Sequence, residues 1–239
     1  LPLLPSGRAE MVLIGHHGAI GVRVKRHGAR ENVRARKEVI LSAGAIGSPQ
    51  ILMLSGVGDP EELSPHGIEV RAALTGVGKN LQDHLQARPV FKTNLSTINT
   101  EANSIFKQGL MALQYALRQR GPMTMAASLG AGFLKTEDHL ETPDIQFHIQ
   151  PWSADKPADG PHKFSAFTAS VLQLRPESAG HLSLRSAKME DHPEIHPNYL
   201  ATDLDWKTCI YYTSHASEPR ESLRIRGYPE DTTQNKQKR

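Results

Sequence analysis

Glu38-Val-Ile-Leu-Ser-Ala-Gly-Ala-Ile-Gly-Ser-Pro-Gln-Ile-Leu-Met-Leu-Ser-Gly-Val-Gly58 is the stretch on which the reading of this chain turns. Residues 38–41 form a continuous apolar run, which predicts a short strand in a buried, parallel position. Residues 42–47 are small and make a sharp turn. Ser48 is a good N-cap and Pro49 suits a first helical position, so a helix is expected over Gln50–Ser55, stopped by Gly56. Small residues in such a bend let main-chain N–H groups come close to a ligand. A helix N-terminus nearby favours a negative group such as a phosphate. Glycine-containing strand–turn–helix units also occur as plain scaffolding, so the geometry alone leaves both readings open.

Upstream, residues 1–10 read as an irregular lead-in. Met11–Ile14 and the alternating Ala19–Arg26 read as strands, turned at Gly28, with Asn32–Arg36 as the returning strand. Downstream, Asp59-Pro60 repeats the cap-plus-proline start of a short helix that Gly67 ends. Ile68–Leu74 reads as a strand, and Thr75–Gly78 opens a loop through Asn80, Asp83 and His84. Residues 103–120 give the strongest helical pattern, with Phe106, Leu110, Leu113 and Leu117 on one face as expected core. Strands near 129–135, 144–150, 165–174 and 180–185, separated by turn residues, predict an antiparallel sheet. A helix is expected within 202–215, and residues 217–239 read as a disordered tail.

Composition bounds the function. The 239 residues are 38% hydrophobic and 22% charged, enough for a packed core and against wholesale disorder. No apolar run reaches the ~20 residues of a transmembrane helix. One cysteine, Cys209, excludes an internal disulfide and any C-x-x-C site. The net charge is +3, concentrated at the two ends, while the middle is acidic and aromatics are 5%. That pattern offers no stacking platform for nucleic acid, and no nucleic-acid partner is expected.

The run Gly44–Gly58 resembles the second signature of the glucose-methanol-choline (GMC) oxidoreductases along its whole length. Gly76-Val-Gly-Lys-Asn-Leu-Gln-Asp-His84, Leu174-Arg-Pro-Glu-Ser-Ala-Gly180 and His196-Pro-Asn-Tyr-Leu200 resemble further blocks of that family, in the family's order, with choline dehydrogenase-like members most similar. The resemblance implies a mixed α+β and α/β fold. Residues 1–86 would be a partial, Rossmann-like FAD-binding domain. Residues 87–208 would be a partial substrate-binding domain with an antiparallel sheet and flanking helices, and residues 209–239 a tail unlike the family. It implies FAD as cofactor and a small-molecule alcohol as substrate, oxidised to an aldehyde or ketone by hydride transfer to the flavin, with an electron acceptor left unnamed. Ala43, Gly44, Ala45, Ser48, Asn80, Asp83 and His84 would serve the cofactor, and Phe147 and His148 would border the substrate pocket.

Two motifs implied by the resemblance are not in these residues: a G-x-G-x-x-G fingerprint after a first strand, and an H-P-x-G-T-C-type block carrying the catalytic histidine. The chain is therefore expected to correspond to the middle of a larger flavoenzyme, to carry no catalytic residue, to bind FAD weakly or not at all, and to turn over nothing alone. The alternative is a non-catalytic remnant or interaction module without bound flavin. The compartment expected is the cytoplasm, since no signal peptide is seen. Among twelve histidines, the His16-His17 pair would face opposite sides of a strand, and prolines break any helix joining His192 and His196, so no metal site is expected. The Asp83-His84 neighbours read more simply as a hydrogen-bonded loop than as a catalytic pair.

Overall fold

The computed structural model describes residues 3–126, 128–155 and 160–209. The chain divides into two compact units. Among the described residues, one comprises 3–83 and 176–202, the other 84–175 and 203–209.

The first unit opens on an antiparallel meander, β1 (Gly7–Gly15), β2 (Gly18–Arg26) and β3 (Ala29–Arg34), in the order β1-β2-β3. The first strand starts at Gly7, inside the expected lead-in, because its backbone pairs with β2 from Gly7↔Arg26 onward. Val12 and Val24 are buried, whereas every residue of β3 is exposed. The ladder, rather than an apolar face, therefore holds this strand.

Residues 38–41 are not a strand. Val39 is half-buried, Ile40 is 79% exposed, and no described strand pairs with the segment. An apolar run becomes a buried strand only where neighbours take its N–H and C=O groups. The helix that follows, α1 (Gly44–Leu54), begins five residues before the first helical position, Pro49, that the sequence suggests. Gly44 enters with φ +78°, a conformation open to glycine, so the small residues read as a turn already form the first helical turn. Pro49 consequently lies inside the helix, and the residue before it all is Ala43, not Ser48. Gln50, Ile51, Met53 and Leu54 are buried. Met53 and Leu54 form a core with Leu63 and Leu184, against which Ile68, Val77 and Met189 pack.

Gly56 (φ +83°) turns the chain out of α1, and a Cβ there would meet the Glu69 carbonyl oxygen at 2.3 Å. A short parallel pair follows, β4 (Val57–Gly58) with β5 (Ala72–Ala73). Between them sits α2 (Pro60–Leu63), capped by Asp59, whose Oδ1 accepts from the Glu61 N–H at 3.0 Å. Of the strand expected over 68–74, Ala72–Ala73 alone pairs. β6 (Lys79–Leu81) then runs to the end of this segment.

The second unit is built on an antiparallel sheet of β7 (Gln86–Ala87), β8 (Val90–Lys92), β9 (Gly130–Leu134), β10 (Ile145–Gln150) and β11 (Ala166–Gln173). The order is β7-β11-β10-β9, and β8 also pairs with β11. Ile145 and Val171 form its buried centre, backed by Ala87, Phe147 and Cys209. Before β9 come α3 (Ile98–Ala102) and α4 (Ile105–Arg118), the latter capped by Ser104 and ended at Gln119 in the left-handed region. The apolar stripe of α4 is real, but it is not core. Phe106 is 81% and Leu117 74% exposed, and no residue of the helix is buried. A buried polar knot lies beside α3. Asn99 donates through Nδ2 to Ser153 Oγ (2.8 Å) and the Phe164 carbonyl (3.0 Å), and its Oδ1 accepts from the Ser153 N–H (2.9 Å).

Residues 176–202 then return to the first unit. β12 (Gly180–Ser183) pairs with both β6 and β13 (Glu194–His196), an extended segment between Pro193 and Pro197. A helix begins at residue 203 and continues to 209. The expected disordered tail, and the rest of the helix expected over 202–215, lie outside the described residues. Among the described residues no helix is long and apolar enough to cross a membrane.

Candidate functional site

The first unit contains a groove of about 350 Å³. Ala45 and Pro49 line it from α1, the run Gly78–Gln82 from β6 and its flanks, and Leu182 from β12. Two backbone devices shape it. Gly78 holds φ +79°, and the Leu182 N–H donates to its carbonyl at 2.6 Å. A Cβ on Gly78 would lie 2.8 Å from the Leu182 carbonyl oxygen, so glycine lets the two segments close up. Asn80 also takes a positive φ, +56°, which asparagine tolerates better than most residues.

The start of α1 supplies the polar groups. The first amides of a helix have no acceptor within it, so Gly44, Ala45 and Ile46 present N–H groups outward. The Ala43 N–H differs, because it donates to Ser48 Oγ at 3.0 Å. Ser48 thus ties down the bend rather than capping the helix. Pro49 has no N–H to return to the Ala45 carbonyl four residues back. The groove lining therefore includes Ala45 of the first helical turn, Pro49, the amide-bearing residues Asn80 and Gln82, and one cation, Lys79. Such a lining suits an uncharged polar edge and an anion together. The volume sits near the low end of ligand clefts, roughly 300–1,000 Å³, and matches part of a dinucleotide rather than all of it.

The other residues singled out by sequence lie elsewhere. The Asp83 carboxylate accepts the Tyr199 hydroxyl, which holds the tyrosine proton above its ordinary value of 10, first through that hydrogen bond and then through burial. His84, in the second unit, places Nε2 3.0 Å from the Leu174 carbonyl. Asp83 and His84, neighbours in sequence, are thus committed to different partners. On β10, Phe147 and His148 point to opposite faces, as successive strand residues must. Phe147 packs on the Ile145–Val171 centre, while His148 Nδ1 lies 3.3 Å from Ser128 Oγ. One cavity on one face of this sheet can be reached by only one of them. Of the residues assigned to the cofactor from sequence, Ala45 and Asn80 line the groove, whereas Ala43, Gly44, Ser48, Asp83 and His84 do not; Pro49, Gly78, Lys79, Leu81, Gln82 and Leu182 line it without having been so assigned. The Gly-x-Gly at 76–78 was the signal for the second wall.

Residues 1–86 match the family model described as GMC oxidoreductase. The chain is 37% identical over 205 residues to a mitochondrial choline dehydrogenase of Homo sapiens, covering 82% of this chain and 33% of that protein. The chain belongs to the GMC oxidoreductase family. An alcohol dehydrogenase [acceptor] of Pseudomonas putida is 36% identical over 216 residues, covering 88% of this chain and 39% of that one. This GMC chain thus spans between a third and two fifths of the length of these curated relatives. Among solved structures, a formate oxidase superposes with TM-score 0.79 at 24% identity, covering 89% of this chain and 43% of the other. An FAD-dependent oxidoreductase from Chaetomium thermophilum superposes with TM-score 0.75 at 23% identity, covering 93% and 45%. At those identities the likeness speaks for the GMC fold, here a mixed α and β architecture with antiparallel sheets.

Proposed function

We propose that this chain contributes part of the FAD-binding framework and part of the substrate framework of a GMC enzyme that oxidises an alcohol to an aldehyde or ketone. The observation that carries the reading is the groove of Ala45, Pro49 and Gly78–Gln82. Its donors at the start of α1 suit a phosphate or ring acceptor, and its Ala45 carbonyl suits an amino or imide N–H. FAD, when bound, supplies the acceptor for hydride; the residues here hold and orient it. In this reading Gly44, Ala45 and Asn80 face the cofactor, Ala43 and Ser48 shape the bend, and Asp83 and His84 anchor the strand that follows. His148, on the face away from the Ile145–Val171 centre, is favoured over Phe147 for contact with substrate. The domain assignment of the sequence reading, residues 1–86 and 87–208, enters this proposal with the boundary moved to 83/84 and residues 176–202 given to the first unit. Cys209 packs on the sheet centre of the second unit, so the tail outside the family pattern is taken as residues 210–239. The cytoplasm is the proposed compartment, a reducing space that suits a chain with one thiol.

Titration of the 239-residue chain with FAD and with ADP, followed by tryptophan fluorescence, tests the site. Weak binding of both, with mutual competition, and a loss of at least tenfold in the Ala45→Leu variant are expected. Unchanged binding in that variant refutes the placement. Alcohol:acceptor turnover is measured in parallel, and none is expected, because no G-x-G-x-x-G run is present in these residues. A chain that folds yet binds neither nucleotide favours the interaction-module alternative.

A further inference from the structure

The turn that follows β13 carries backbone strain. Asn198 and Leu200 both hold left-handed conformations, φ +55° and +56°, on either side of Tyr199. Asparagine tolerates that region, but for a bulky leucine it is an outlier. Such strain persists only where the surroundings enforce it, and it gathers at functional sites. Here the enforcing contacts are visible. Asn198 Nδ2 donates to the Ala179 carbonyl at 3.1 Å, and the Ala201 N–H donates to Ser178 Oγ at 2.8 Å. Gly180 lies so close to β13 that a Cβ there would meet the His196 carbonyl oxygen at 1.9 Å. The turn is thus tied to the start of β12. Between its two strained residues it presents Tyr199, whose hydroxyl donates to Asp83. Burial of the ring does not repay the strain, since Tyr199 is 41% exposed. Asp83 comes directly after Gly78–Gln82, the second wall of the groove. Leu182 holds that wall at Gly78, and Tyr199 holds it one residue beyond Gln82.

We propose that Tyr199 is a positioning residue for the groove: its hydrogen bond to Asp83 fixes the far end of the Gly78–Gln82 wall and so sets the width open to a nucleotide. The inference rests on the reading of that groove as the nucleotide site. Tyr199 does not line the groove itself, so it acts through Asp83 and not by touching the ligand. The wall needs such a pin. β6 is three residues long and pairs with β12 at Lys79 and Leu81. A ladder that short leaves the ends of the segment to be held by other contacts. The wall, Asp83, β12, β13 and the strained turn all belong to the first unit.

The test is titration of the 239-residue chain with ADP at neutral pH, set beside amide exchange of β6. Tyr199→Phe is expected to weaken ADP binding about fivefold and to speed exchange at Lys79–Leu81. Asp83→Ala should do the same, and the double variant should lose no more than either alone, because each removes the same contact. Asp83→Asn keeps an oxygen acceptor for the phenol and should stay within about twofold of the wild type. Val24→Ala, at a buried position of β2, is the stability control. It should lower the thermal midpoint and leave ADP affinity unchanged. Affinity that falls as far in Val24→Ala as in Tyr199→Phe makes the tyrosine merely structural and overturns the proposal. Wild-type binding that Tyr199→Phe leaves unchanged overturns it too, with the groove reading intact. Absence of ADP binding by the wild type refutes the groove reading instead. Exchange then decides the pin by itself: faster β6 exchange in Tyr199→Phe upholds it, and unchanged exchange overturns it.

Discussion

Pro49 withholds the backbone donor that a helix would otherwise return to the carbonyl of Ala45, and the same two residues line the groove. An interior proline costs a helix up to about 3 kcal/mol relative to alanine. Pro49→Ala is therefore expected to raise the urea midpoint of unfolding. If the Ala45 carbonyl serves the nucleotide, the same variant binds ADP several-fold more weakly, since its own helix now occupies that acceptor. Denaturant unfolding and ADP titration on one preparation separate the two effects.

Gly78→Ala is expected to destabilise the first unit by about 1–3 kcal/mol. The backbone there is left-handed, and the new Cβ would press on the Leu182 carbonyl oxygen at 2.8 Å. The readout is a lower thermal midpoint with β6 and β12 amides exchanging faster than those of β1 and β2.

Asn99→Ala should cost about 2–4 kcal/mol, because Asn99 is fully buried and its loss strands the Ser153 N–H and the Phe164 carbonyl. Protection should fall around α3 and leave the meander of the first unit unchanged. Uniform loss of protection across the chain would contradict the division into two units.

Lys25 pairs with Glu190, and that hydrogen bond holds the Glu190 carboxyl below its ordinary value of 4.5. A carboxylate with a lowered folded value stabilises the fold above its unfolded value, and that contribution disappears as pH falls through the folded one. Thermal midpoints of the wild type and Glu190→Gln should therefore differ near neutrality and converge as pH falls through the lowered folded value. The pair is exposed, so the difference should be small and should shrink with salt.

The opposite sign applies to Tyr199, whose proton is held by Asp83. Its stabilising effect is complete below the ordinary value of 10 and is lost as pH rises through the higher folded value. Tyr199→Phe should lower the midpoint at neutral pH and match the wild type at strongly alkaline pH. Absorbance titration of the phenol reads the same shift directly.

Much of this fold was legible because it rests on local signals. The alternation in β2, the Asp59-Pro60 start and the Gly67 stop each carry their cause within a few residues. The misreadings share a different origin. Residues 38–41 look like a buried strand because their composition is apolar, yet burial depends on neighbours that no local pattern reports. The stripe on α4 was correctly periodic and wrongly assigned to the core for the same reason. Ser48 and Pro49 looked like a helix start until glycine at 44 allowed the helix to begin sooner. At the candidate site, Ala45 and Asn80 were legible from small residues and motif resemblance. Leu182 was not, because it arrives from about a hundred positions away.

That long return has a consequence for synthesis. β6 pairs with β12 through Lys79↔His181, so the first unit lacks its partner strand until the ribosome has made residues 84–175 of the second. At elongation rates of roughly 5–20 residues per second, the delay is on the order of 5–20 seconds. During that interval the edge of β6 stays open to chaperones, and the inserted residues 84–175 have time to begin folding first. The order of folding on the ribosome then differs from the order of the genetic message.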